Sequence, residues 1–387
     1  MGLVKKLSLA LFSAGVMVAA TAAQAMAVSL EFDSQIGSPG FAPGQLFVTQ
    51  GITVDDATGN VLVSNGRGLN PDGSFNPALG NRVDVFTADG AYLRSISSGR
   101  QGRGEGLDEP ADLKFSPTNG NLYVGDVFNS EIDVYDRQGN FVKSFAQFGG
   151  PVPDRIFFGP GGMSFDKNGN LYITDFSSDY IQVYDKNDNL VRTIGSNGSA
   201  PGQFIGPAGI SVSPVSGNLF VADQYNNRIQ VLTPEGEFIS AFGGPGTGPG
   251  QFAQPIGVEV DEEENVYVAD SQNSRVQVFD KNGNFLTSYG QPARTATGEI
   301  VPPPTAGPIA NPIDLTPGVF NWTAGAHYDK GKLYVGDFFQ GRVQVLNVVK
   351  DGATKVPEPA SLLGLGLLGI GATATTLRKK QQKATSA

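Results

Sequence analysis

Cysteine is absent from the 387-residue chain, which excludes disulfides, thiol nucleophiles and thiolate metal sites together. Histidine occurs once, as His327, so a zinc site of the usual multi-histidine composition cannot be assembled. No Ser-His-Asp arrangement, P-loop or metal-spaced histidine cluster is present. Basic charge is scarce: 27 Lys+Arg stand against 37 Asp+Glu, for a net charge of -10. Six of those basic residues and only one acid lie outside residues 28–355, so that body carries about −15. A body that acidic repels phosphate backbones, and nucleic acid is not an expected partner.

Glycine is plentiful at 52 residues and proline at 25, a composition suited to an all-β chain with many tight turns. The organising unit is 218–233, NLFVADQYNNRIQVLT. It reads as two short strands, each alternating inward and outward side chains, joined by a polar turn at Gln224, Tyr225, Asn226 and Asn227. The unit recurs six times. Its first strand appears as NVLVSN, NLYVGD, NLYITD, NLFVAD, NVYVAD and KLYVGD, and its second as RVDVFT, EIDVYD, YIQVYD, RIQVLT, RVQVFD and RVQVLN. Asp126, Asp175, Asp223 and Asp270 follow one another at spacings of 49, 48 and 47 residues. A period of that size signals a repeat architecture.

Each unit adds a strand before the pair (GITVD, ADLKF, GMSFD, GISVS, GVEVD, GAHYD) and one after it of the FVKSF type. Asn168-Gly169, Asn282-Gly283 and Asp89-Gly90 predict two-residue hairpin turns with positive φ. Ser29 to Gly37 is an orphan that matches the fourth strand, whereas the sixth unit ends without one. Six four-stranded antiparallel blades, the last closed by the N-terminal strand, predict a six-bladed β-propeller and remove two exposed sheet edges.

The lead-in Pro-Gly-Gln-Phe/Leu occurs at Pro43, Pro201 and Pro249, followed by Gly-Ile/Val-x-Val, YVAD, N-N-R-I/V-Q-V-F-D and G-x-F. This succession resembles the NHL-repeat propellers over residues 28–350. Departures are Asn65 in place of the Asp in unit one, and Glu131 and Tyr180 in place of the Arg in units two and three. Six-bladed propellers include enzymes. An amidating lyase of this kind implies several zinc-binding histidines, which the chain lacks. Calcium-dependent hydrolases and lactonases imply a channel ring of hard oxygen ligands.

Three further segments define the organisation. Residues 1–27 read as a secretory signal peptide, with Lys5 and Lys6, an apolar run and Ala25-Met26-Ala27 as the cleavage site, Ala23-Gln24-Ala25 competing with it. Residues 28–350 are the propeller. In 351–387, Pro357, Glu358 and Pro359 precede an apolar run from Ala360 to Leu377 and the basic Arg378, Lys379 and Lys380. That run is at the short limit for a transmembrane helix, with the basic end cytoplasmic. The tail resembles the PEP-CTERM sorting signal of bacterial exported proteins. The resemblance implies exosortase-type sorting machinery as a partner, transient membrane anchoring, and association with the cell surface and extracellular polysaccharide.

Candidate sites follow from matched positions. The middle residues of the first strands are Thr53, Lys114, Ser164, Ser211, Glu259 and His327, which period two places in the channel or between blades. Only Glu259 among them is acidic, and Lys114 opposes a cation, so no cofactor or metal is expected, with Ca²⁺ the one open metal. The second candidate is the ring Asp126, Asp175, Asp223, Asp270 and Asp337. Each carboxylate reads either as a hairpin brace, with Arg228, Arg275 and Arg342 five residues on, or as a rim binding cations or sugar hydroxyls beside Tyr225 and Phe338. Two insertions, 66–80 and 293–317, leave the period on the face that carries these Asp residues. The expected function is a non-enzymatic binding or scaffold module for a protein or extracellular polysaccharide. The alternative is a Ca-dependent hydrolase or lactonase using Glu259 and His327.

Overall fold

Strands form where short runs of Val, Ile, Leu, Phe and Tyr are bounded by Gly, Asn and Asp. The computed structural model describes residues 27–69, 75–96, 106–153, 155, 158–295, 298–300 and 314–351. Val28–Lys350 forms one compact unit. The signal peptide, the sorting motif Pro357-Glu358-Pro359 and the apolar run after it lie outside the described residues. Among the described residues no helix is long and apolar enough to cross a membrane.

Six four-stranded sheets are arranged as blades. The fourth is representative, with strands Pro207–Val212, Leu219–Asp223, Arg228–Leu232 and Phe238–Gly243 paired antiparallel in order. In the sixth blade the N-terminal strand Ala27–Ile36 lies beside Arg342–Asp351 and closes the ring. Its Val28 and Leu30 enter the apolar cluster shared with blade five, and Ile36 enters the one shared with blade one.

The pair of strands at the centre of each unit does not alternate inward and outward. Leu219–Asp223 is buried at every residue, as are its counterparts Leu122–Asp126, Leu171–Asp175 and Val266–Asp270. Both faces of a blade pack against neighbouring blades, so both sets of side chains are interior. The seam between blades four and five, for example, joins Phe220, Ile229, Phe252, Val266 and Phe279. Burying each such side chain contributes about 1.5–3 kcal/mol.

The Asn-Gly turns also differ from expectation. Gly169, Gly283 and Gly90 do have positive φ, at 85°, 82° and 86°, but the residues before them do not. Gly169 N donates to Asp166 O and Asp166 N to Asn170 O. The loop is therefore three residues long, a type I turn with glycine in the left-handed region. Asp166 holds it by accepting from the backbone N–H of Asn168 and Asn170, so the carboxylate two residues upstream selects the longer loop.

The first insertion lengthens the central hairpin of blade one into Val61–Leu69 and Phe75–Phe86, paired as far as Leu69 with Phe75. The second follows a parallel pairing of Gln291–Pro292 with Val319–Phe320. Both leave from the end of the ring where the YVAD-type strands finish.

Candidate functional site

The Pro-Gly-Gln-Phe lead-in is a staple. Gln203 folds back so that its Oε1 accepts from Ala200 N at 3.2 Å, and Gln251 does the same with Gly248 N at 3.0 Å. Phe204 and Phe252 are thereby plugged into the seams, fully buried. Arg228 Nε donates to Asp223 at 2.7 Å while its NH2 donates to the carbonyl of Gln203 at 3.0 Å. Gln230 donates to the same two acceptors at 3.0 and 2.6 Å. Blade five repeats this with Asp270, Arg275 and Gln277.

The Asp ring is therefore no open rim. Asp126, Asp175, Asp223, Asp270 and Asp337 are each 0% exposed. Each accepts from the backbone N–H of its own lead-in, such as Ile205 to Asp223 at 2.9 Å and Asn321 to Asp337 at 2.8 Å. A sugar or cation would have to break these bonds to reach them. Burial pushes all five carboxyls above the usual range: Asp337, beside Arg342, to about 6, and Asp126 to about 8. Blade two has Glu131 where the Arg would stand, and the charge of Asp133 adds to the effect on Asp126. Blade one keeps the charge balance by exchange: Asn65 replaces the Asp, and Asp84, at the position of Gln230, receives Arg82 at 2.8 Å.

The mouth on the insertion-bearing face is lined instead by the residue after four of the five Asp residues: Val127, Phe176, Gln224 and Phe338. One position along a strand changes the direction of the side chain. Phe338 packs on Trp322 and Phe339, with ring centroids 6.1 and 4.6 Å away. Tyr225 stands beside the mouth against Phe176 at 5.8 Å, with the Arg155 guanidinium over both rings.

Inside the mouth the first strands approach most closely at Gly51, Gly162, Gly209, Gly257 and Gly325. A Cβ at Gly209 would lie 2.3 Å from Ile256 O, and one at Gly325 would lie 1.9 Å from Gln50 O. The sixth equivalent position is Asp112. Its carboxylate bridges to blade three, accepting from Met163 N at 2.8 Å, and burial raises its pKa. Sequence reasoning missed Asp112; the signal was a carboxylate where the other five repeats carry glycine.

One step deeper the matched ring meets in the channel. Lys114 Nζ is ion-paired with Glu259 Oε1. His327 Nδ1 lies 3.3 Å from the same oxygen and 3.5 Å from Lys114 Nζ, and Ser211 Oγ donates to Glu259 Oε2 at 3.1 Å. Burial pushes Glu259 up, but the Lys114 charge and the hydrogen bond with His327 overcome it and hold the carboxyl at about 2. A carboxylate that acidic does not serve as a general base near neutral pH. Any cation there would have to displace the Lys114 ammonium. Among the described residues no group of three or more His, Asp or Glu side chains has the geometry to hold a metal ion.

This plug divides the channel. Towards the insertions lies a narrow cup of about 80 Å³. Towards the opposite face lies a polar cavity of about 750 Å³, lined by Thr53, Ser164, Ser211, His327, Tyr172 and Arg192 among others.

No curated protein matches the chain. A sequence-family profile described as a 6-bladed beta-propeller matches residues 210–292. Among solved structures, an auxiliary nutrient binding protein from Bacteroides thetaiotaomicron is similar with a TM-score of 0.56 at 11% identity, over 84% of this chain and 77% of its own. A catalytically inactive virginiamycin B lyase from Staphylococcus aureus, solved with quinupristin, gives 0.51 at 15% identity, over 83% and 100%. A gluconolactonase from Xanthomonas campestris gives 0.51 at 15% identity, over 82% and 98%. At such identities the likeness is one of fold. Six sheets in a ring, one repeat per sheet and these likenesses agree: the chain is a six-bladed β-propeller.

Proposed function

We propose that this protein is an exported, cell-surface-sorted propeller of the NHL-repeat type that acts as a non-enzymatic binding module. It presents its insertion-bearing face to a protein or extracellular polysaccharide. The observation that carries the reading is the cup on that face: aromatic at its rim, apolar in its wall, and floored by a charge-neutralised Lys114–Glu259–His327 plug rather than by a free base or a metal cage. Repeat proteins commonly bind through loops gathered on one face, and both insertions leave from this one. The signal peptide and the PEP-CTERM-like tail supply the route to the surface.

The test uses the full-length chain as bait against the extracellular matrix of the producing cell, beside a variant lacking residues 66–80. Capture of a protein or polysaccharide that depends on those residues supports the reading. Stoichiometric Ca²⁺ in the channel, with lactonase turnover lost in His327→Ala, would overturn it. Fractionation checks the route: the chain should appear in the envelope with Val28 near its new N-terminus.

A further inference from the structure

The geometry points to a specific occupant for the cup: a single uncharged aromatic ring with a hydroxyl at its tip, a tyrosine-type side chain offered by a protein partner. This rests on the reading that the insertion-bearing face is the binding face, and it names what that face takes.

Size is the first argument. A volume of about 80 Å³ is room for roughly five to eight waters, about one six-membered ring. The wall is the second. It is made largely of Ala111, Ala208, Ala324, Ile256 and glycine backbone. A pyranose would bury more hydroxyls than Asp112 and Gln224 can pair against these groups, which is costly. A phenol ring presents only carbon to them, and the rim rings Phe158, Phe176 and Phe338 offer edge and face contacts. The floor is the third. Lys114 is already neutralised by Glu259, so a charged ligand would enter without a counter-ion. Asp112, one layer above, offers a carboxylate that accepts from a hydroxyl.

An independent observation marks the same mouth. Among the described residues, the buried side-chain atoms without a hydrogen-bond partner are Thr49 Oγ1, Ser177 Oγ, Gln224 Oε1, Asn321 Nδ2 and Trp322 Nε1. Of the five, Gln224 lines the cup, and none lines the opposite cavity. Native structures leave few such groups unpaired, and those that persist call for a ligand or water. Gln224 is itself fully buried and lines the cup, and its Oε1 needs a donor.

The test is titration of the full-length protein with p-cresol, toluene and methyl glucoside, followed by NMR and calorimetry. The expected result is one saturable p-cresol site, binding about tenfold more tightly than toluene through one hydrogen bond to Asp112, with no saturable binding of the glucoside. Ala208→Leu and Ala324→Leu each fill the cup and should weaken p-cresol at least tenfold. Asp112→Gly installs the residue of the other five blades and should erase the preference over toluene. Thermal melts confirm that each variant folds. Absent p-cresol binding, p-cresol binding indifferent to both Leu variants, or tighter binding of the glucoside would overturn the inference. A captured surface partner that p-cresol does not displace removes this site and leaves the proposed function. A p-cresol site with no surface partner does the reverse.

Discussion

At the scale of the residue, the two carboxylate sets titrate in opposite senses. Glu259 is held at about 2 against an ordinary 4.5. Its stabilising contribution is complete above pH 4.5 and lost as pH falls through 2, on the order of 3 kcal/mol. Lys114→Met leaves that carboxylate without its partner and should cost about 3–5 kcal/mol in urea denaturation, whereas Lys114→Met with Glu259→Gln should recover most of the loss. Asp126 behaves conversely. Its folded value of about 8 exceeds the ordinary 3.8 because burial, with Asp133 nearby, opposes ionisation. Stability from this group is therefore full below pH 3.8 and declines as pH rises towards 8. Asp126→Asn should flatten that decline and leave the protein more stable than wild type at pH 8. Asp223→Asn, which strips Arg228 of its counter-charge, should instead cost about 1–3 kcal/mol at neutral pH. Equal behaviour of the two variants would refute the role assigned to the missing arginine in blade two.

At the scale of the element, the first strands set the width of the channel. Their glycines are required by close approach: a Cβ at Gly325 would sit 1.9 Å from the carbonyl of Gln50 in the adjoining blade. Gly325→Ala should cost about 1–3 kcal/mol or more through forced separation of blades six and one. Gly150→Ala meets nothing within 4 Å and should stay within about 0.5 kcal/mol of wild type. Thermal melts of the pair decide between a packing requirement and a general intolerance of change. The strands themselves were legible as short apolar runs at a fixed period. Their two-sided burial was not, because alternation in a sequence does not say whether a second sheet covers the outer face. Turn length was likewise hidden, since Asn-Gly suits a two-residue loop until the carboxylate of Asp166 or Asp280 captures the backbone.

At the scale of the whole molecule, closure by the N-terminal strand joins the first and last strands of the propeller in one sheet. Removing residues up to Ile36 takes away Val28, Leu30 and Ile36 from two seams and the Lys332–Asp33 ion pair. It also exposes the edge of Arg342–Asp351. The truncated protein should melt more than about 10 °C lower and self-associate, as an unpaired apolar edge does. A truncation that stays monomeric with an unchanged melting temperature would show that the ring does not depend on its latch.

The sequence alone determined the number of blades, the strand content of each and the partner of the N-terminal strand, because repetition and a missing fourth strand are written in one dimension. It also marked Lys114, Glu259 and His327 as equivalent positions. Only the tertiary structure decided that these three meet as a neutralised plug, that the Asp ring lies inside the blades, and that the next residue along faces the mouth. Those outcomes depend on which side of a strand a neighbouring blade covers and how near its backbone comes, and both are fixed only when all six sheets close on one another.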